Sequence, residues 1–237
     1  MNVQTETRAP SAVAAAATAT PTTSSLERTL GRLALAAGAC ALAMLAIALA
    51  TGVSQEPLEI VQSPEQYAAT LLARPVVLRM VFAIDGVFLI VYSAFFAMLG
   101  GWLARERPER RAGAYLAVGA LLVTGLLDCV ENLHIVTMLT VLEHGSAPAL
   151  SQIALQSILS ALKFSFSYAG LFGLAFILPR QTRLERALAA SLFVYMPVGV
   201  LVHVAPHTWV APLILARLVF FVGGLFGYAK VFLDRAR

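Results

Sequence analysis

The chain has 237 residues, 59% hydrophobic and 13% charged, with a formal net charge of +4 and a mean hydropathy of +0.80. A soluble domain is about half apolar and a quarter charged, so this balance excludes an ordinary soluble protein, a secreted disulfide scaffold, a nucleic-acid module and a disordered chain. The apolar residues fall in long blocks and most arginines flank them, so the basic charge signals topology, not a nucleic-acid partner. Cys40 and Cys129 each lie inside a block, with no CxxC pair and no disulfide framework.

In chain order, residues 1–27 are rich in Ala, Thr, Ser and Pro and are expected to form a disordered tail, because they cannot bury enough apolar surface to fold. Residues 28–237 read as one all-α, polytopic membrane helix bundle. Six transmembrane helices are predicted at about 31–52, 79–104, 112–142, 150–178, 187–206 and 209–232, each reaching the ~20 residues that cross ~30 Å of hydrocarbon. The third and fourth are longer and should tilt or project. The first ends in Ala48-Leu49-Ala50, a small-x-small pattern like a signal-peptidase site. Its apolar core of roughly 18 residues exceeds the usual ~7–15, which predicts an uncleaved helix. In the link 53–78, the run from Pro64 to Arg74 predicts an amphipathic helix at the outer surface. It would either lid a polar layer or cover helix ends.

Orientation follows from Lys and Arg. Thirteen lie before helix one, in links two–three and four–five and at the C-terminal end, against only Arg74 and Arg79 on the other side. The positive-inside rule then places both termini in the cytoplasm of a bacterial-type cell, with the bundle in the inner (plasma) membrane. The bilayer is the expected partner, with other membrane subunits or further copies of the chain beside it.

Charged groups inside spans are expensive, and each is a site hypothesis. Here they are Asp85, Asp128, Glu131, Lys163 and Arg217. Counting from the arginine-rich boundary puts them in one layer, in the outer half. A short link between helices three and four makes these antiparallel neighbours, with Asp128 and Lys163 almost equally far from the link. Asp128, Glu131 and Asn132 share a face at i, i+3 and i+4. Gln152, Gln156, Ser160, Lys163 and Ser167 form a polar stripe on helix four. Two carboxylates thus face one ammonium. On helix two, Tyr92 lies seven residues after Asp85 and is placed to orient a carboxylate. The plain alternative for each is structural: a buried ion pair fixing helix register, Arg217 snorkelling to the interface, and glutamines and serines bonding neighbouring helices.

His203 and His207 have a spacing that suits two imidazoles on one metal, with His134 or Asp128 as a third ligand. Pro206 and the helix end between them weaken that geometry, and interfacial histidines are the favoured reading. Haem between His134 and His203 rests on two histidines alone; no cofactor is predicted. No Walker loop, GxSxG or HExxH occurs. Gly100-Gly101 and Gly223-Gly224 are expected to permit close helix packing.

Three pieces stand together: Asp85 leading through Phe88-Leu89-Ile90-Val91 to Tyr92-Ser93; Asp128-Cys129-Val130-Glu131-Asn132; and Leu162-Lys163-Phe164. They resemble a set of uncharacterised bacterial multi-pass membrane proteins with D-x-x-F-I-x-x-Y-S, D-x-x-E-N and L-K-F elements, over roughly residues 79–178. The resemblance implies no activity, but it selects Asp85, Tyr92, Asp128, Glu131, Asn132 and Lys163. Ceramidase-like membrane hydrolases match only at His203/His207, and a rhodopsin would need a seventh span. Three functions follow as expectations. The foremost is a non-enzymatic membrane subunit or sensor. The alternative is a small proton-linked transporter using Asp128 and Glu131, with Lys163 as counter-ion. The last is a metal-dependent membrane hydrolase.

Overall fold

The structure, a computed structural model, describes residues 23–204 and 207–237. It contains seven α-helices: α1 (Thr23–Thr51), α2 (Pro64–Ala73), α3 (Pro75–Glu106), α4 (Arg111–Glu143), α5 (Leu150–Ile177), α6 (Arg183–Val204) and α7 (His207–Arg235). Six of them, all but α2, contain a stretch long and apolar enough to cross a membrane. There is no strand among the described residues.

The helix limits differ from the sequence expectations for local reasons. Residues 23–27, expected in the tail, are helical. Leu26 packs on the core, and Leu30, Ala34, Ala37 and Ala41 continue the same buried stripe along α1. Residues 1–22 lie outside the described residues. Helix α3 starts at Pro75, whose ring pre-sets the first helical φ and whose missing N–H is no loss there. Helix α6 starts before 187 because Thr182 and Glu185 cap it reciprocally. Glu185 Oε2 accepts from the Thr182 N–H at 2.9 Å, and Thr182 Oγ1 accepts from the Glu185 N–H at 3.2 Å.

The six long helices form a closed ring. Each packs on its neighbours in the order α1, α3, α4, α5, α6, α7, and α7 returns to α1. The links from α3 onward are short and make successive members antiparallel, while α1 reaches α3 through the longer segment that carries α2. The half near the arginine-rich links is solid, filled by Phe95, Leu99, Trp102, Leu103, Tyr228 and Phe232. Arg235 fastens this end: it bonds Glu185 at 2.7 Å and lies 5.2 Å from the Trp102 ring centre. Close approach of backbones depends on single glycines. A Cβ on Gly170 would stand 2.7 Å from Leu121 Cγ and 2.9 Å from the Ala117 carbonyl, so α4 and α5 touch there only because the side chain is absent. Of the expected Gly pairs, only Gly100 packs closely, against Val118; Gly101, Gly223 and Gly224 have nothing within 4 Å of that position.

The other end is built differently. A second apolar cluster joins Leu58, Tyr67 and Leu71 to Leu78, Phe82, Ile135, Leu139 and Ile153. Helix α2, started by Ser63, whose hydroxyl accepts from the Gln66 N–H at 3.3 Å, buries its apolar face on the ends of α3, α4 and α5. It covers helix ends. The lid over the polar layer is the segment before it.

Candidate functional site

Lys163 stands at the centre of the polar layer. Its Nζ lies 2.7 Å from Glu131 Oε2, 3.2 Å from Asp128 Oδ1 and 3.0 Å from Glu59 Oε1. The pairing with Asp128 and Glu131 is the one that helix register implied. Glu131 is held from its other oxygen, Oε1, which accepts from Gln156 Nε2 at 2.9 Å and from Ser160 Oγ at 2.7 Å. Its side chain is 1% exposed and that of Lys163 7%. An ion pair this far from water persists only where further hydrogen bonds satisfy the remaining polar atoms, and the helix α5 stripe supplies them.

Asp85 is buried on α3 and has no cation within ion-pair distance among the described residues. Its Oδ2 accepts from the Asn132 amide, and Gln55 Nε2 stands 3.5 Å from the same oxygen. Gln55 also donates to Asn132 Oδ1 at 3.3 Å, tying the link to both helices.

The link residues Gln55, Glu56 and Glu59 escaped the sequence reading, which looked for charge inside helices. Gly52, at φ 72°, ends α1 and turns the chain back over the ring. A short 3₁₀ turn, Glu56–Leu58, follows. Glu59 thereby reaches Lys163, 104 positions away in sequence. Glu56 Oε1 meets Arg217 Nη2 at 3.5 Å. The signal available in the sequence was two glutamates flanking Pro57-Leu58 in the longest outer link.

Arg217 does not snorkel along the outside of the bundle. Its side chain is 12% exposed and its guanidinium stacks on Phe164, 4.5 Å from the ring centre. Lys163 Nζ lies 4.9 Å from the same centre, so one ring serves both cations.

Beneath the link lies a cavity of about 490 Å³ lined by all six long helices and by residues 53–56 and Glu59. Its wall is mostly apolar. Asp85, Asp128, Lys163 and Arg217 present their polar groups to it, as do Glu56 and Glu59 from above. That volume and character match a small-molecule site: a concave, largely apolar space with a few placed polar groups.

Several expected members of the site sit elsewhere or act otherwise. Gln156, Ser160, Lys163 and Ser167 are buried as one stripe, but Gln152 is exposed at the start of α5, where its Oε1 accepts from the Ala149 N–H at 2.9 Å. A residue in the first turn finds an unpaired backbone N–H closer than the bundle interior. Tyr92 is buried and lines the cavity, yet makes no hydrogen bond to a carboxylate among the described residues; it packs on Phe88 and Phe96. His134 Nε2 bonds the Gln152 carbonyl at 3.1 Å. The side chains of His203 and His207 lie outside the described residues. No group of three His, Cys, Asp or Glu side chains among the described residues is disposed to hold a metal ion.

Two titrating groups outside the spans feel the site. Burial raises the Glu56 carboxyl above the usual glutamate range, against the opposing pull of Arg217. Burial, aided by the Glu131 carboxylate, likewise pushes the Tyr67 phenol up.

No protein-family model matches the chain, and comparison with curated proteins and with solved structures finds no match.

Proposed function

We propose that the chain is a multi-pass protein of the inner (plasma) membrane, both termini cytoplasmic, and that it works as a non-enzymatic binding subunit or sensor. Its ligand is a small molecule held in the central cavity. The observation that carries this reading is the cavity's construction: about 490 Å³, with a lid whose Glu59 and Glu56 are ion-paired to Lys163 and Arg217 on the walls. A ligand that displaces or strengthens those pairs moves the link, and the link is the part of the molecule that a partner outside the membrane can feel. The Lys163 cluster is satisfied internally, while Asp85 faces the cavity without a cation, which suits binding better than group transfer.

The test is native mass spectrometry on protein extracted gently from its own membrane, with Ala48→Phe as comparison, since Ala48 lines the cavity. A co-purifying small molecule that is present in the natural chain and absent from the variant is expected. A molecule retained equally by both, or none in either, overturns the cavity as the binding site. A second reading, a small proton-linked carrier, is favoured by the three carboxylates that share Lys163, because one ammonium compensates only one of them and the other two are left to take up and release protons. Flux that survives both Asp128→Asn and Lys163→Ala ends that alternative.

A further inference from the structure

The charges around the cavity do not balance. Among the described residues, five carboxylates (Glu56, Glu59, Asp85, Asp128 and Glu131) meet two cations. Lys163 is matched by three of them and Arg217 by Glu56, and both cations also lie over Phe164. Asp85 is left over. It is 3% exposed and lines the cavity; its Oδ2 faces only amide donors, and Oδ1 accepts no hydrogen bond among the described residues.

A separate observation concerns the wall next to it. Phe88 lies one turn beyond Asp85 on the same face of α3 and Tyr92 two turns beyond. Phe221 of α7 stands 6.0 Å from the Phe88 ring, 6.5 Å from that of Tyr92 and 6.4 Å from that of Tyr195 on α6. All four line the cavity. A buried carboxylate above a group of aromatic rings is the environment that stabilises an organic ammonium: the carboxylate supplies the opposite charge and the ring faces supply their quadrupole without strong hydration. An inorganic cation would want several oxygen ligands at once; the four rings offer only the two tyrosine hydroxyls, and no group of three His, Cys, Asp or Glu side chains among the described residues is disposed to hold a metal ion.

We propose that the cavity binds an amphipathic organic cation, its ammonium between Asp85 and the Phe88–Tyr92–Phe221 rings and its apolar part along α1 and α7. This rests on the reading that the cavity is a ligand site, and it names the class of ligand.

Purified full-length protein in neutral detergent is titrated with benzyltrimethylammonium and tetrabutylammonium chloride, with sodium chloride and sodium benzenesulfonate as comparison, following thermal unfolding and calorimetric binding. The expected result is stabilisation by the organic cations alone, weakened about tenfold or more in Asp85→Asn. Phe221→Leu, which keeps the charge and removes a ring, should weaken it by a smaller factor. Cation binding unchanged in Asp85→Asn overturns the assignment. So does sodium acting as well as the organic cations, or binding of benzenesulfonate in their place. In that last case, loss of benzenesulfonate binding in Ala48→Phe shows that the cavity is a ligand site and only the ligand class is wrong. Absence of binding by all four salts overturns the proposal, and the co-purification result then decides whether the cavity reading survives.

Discussion

Three carboxylate oxygens stand within 3.2 Å of the Lys163 ammonium, and the group is nearly dry. Removing the cation from such a set leaves repelling carboxylates with no compensation, which costs about 3–5 kcal/mol when one partner of a buried pair is lost. Lys163→Met should therefore lower the unfolding temperature strongly, and adding Asp128→Asn should recover part of the loss. Thermal unfolding of the single and double variants checks this, and an unchanged midpoint in Lys163→Met would show that the network does not hold the bundle. Glu56 offers a pH test. Its carboxyl is raised by burial despite Arg217, so its folded value lies above its unfolded one. Such a group favours the folded state at low pH and loses that contribution as pH rises through the folded value. Relative to Glu56→Gln, which stays neutral, the natural chain should lose unfolding temperature as pH rises above the ordinary glutamate range of about 4. A parallel pH profile for the two proteins would contradict a raised Glu56 carboxyl in the folded chain.

The helix α4–α5 contact is the broadest in the ring, and its closeness depends on Gly170 against Ala117 and Leu121. Gly170→Ala should destabilise by about 1–3 kcal/mol, because a backbone carbonyl cannot step aside for the new methyl. Gly119 is on the same helix pair with nothing within 4 Å of its Cβ position, so Gly119→Ala should be neutral or slightly stabilising by helix propensity. Equal effects in the two variants, measured by thermal unfolding, would count against this packing. Helix α2 was legible as an amphipathic run, since Ser63-Pro64 starts it and Tyr67 and Leu71 share a face. That it covers helix ends was one of the two placements the sequence left open, and the structure selects it. The same apolar stripe would serve a lipid surface, and only the projecting ends of α4 and α5 decide between the two.

For the whole molecule, the ring order and the direction of each helix make the α2 end and the arginine-rich end opposite faces. The proposed orientation puts α2 outside. In a Cys40→Ala, Cys129→Ala background, Glu65→Cys should react with a membrane-impermeant maleimide on intact cells, and Glu109→Cys only after lysis. The reverse pattern would invert the orientation. Both positions are exposed, so the labelling reports side and not burial.

The fold class, the six apolar helices and the Asp128/Glu131–Lys163 pairing were determined by the sequence itself. Each depends on a local quantity: the length of an apolar block, a 3.6-residue period, or distance from a short link that forces two helices antiparallel. The closure of α7 on α1, the cavity inside the ring and the placing of Glu59 on Lys163 were decided only by the tertiary structure. They join residues up to 104 positions apart through a flexible-looking link, and no periodicity carries information across it. Gln152 and Tyr92 show the same limit from the other direction. They share a face with the network in projection, but one found a backbone N–H to cap and the other an aromatic neighbourhood. Periodicity assigns a face; the competing partners along that face are known only once the neighbouring helices are in place.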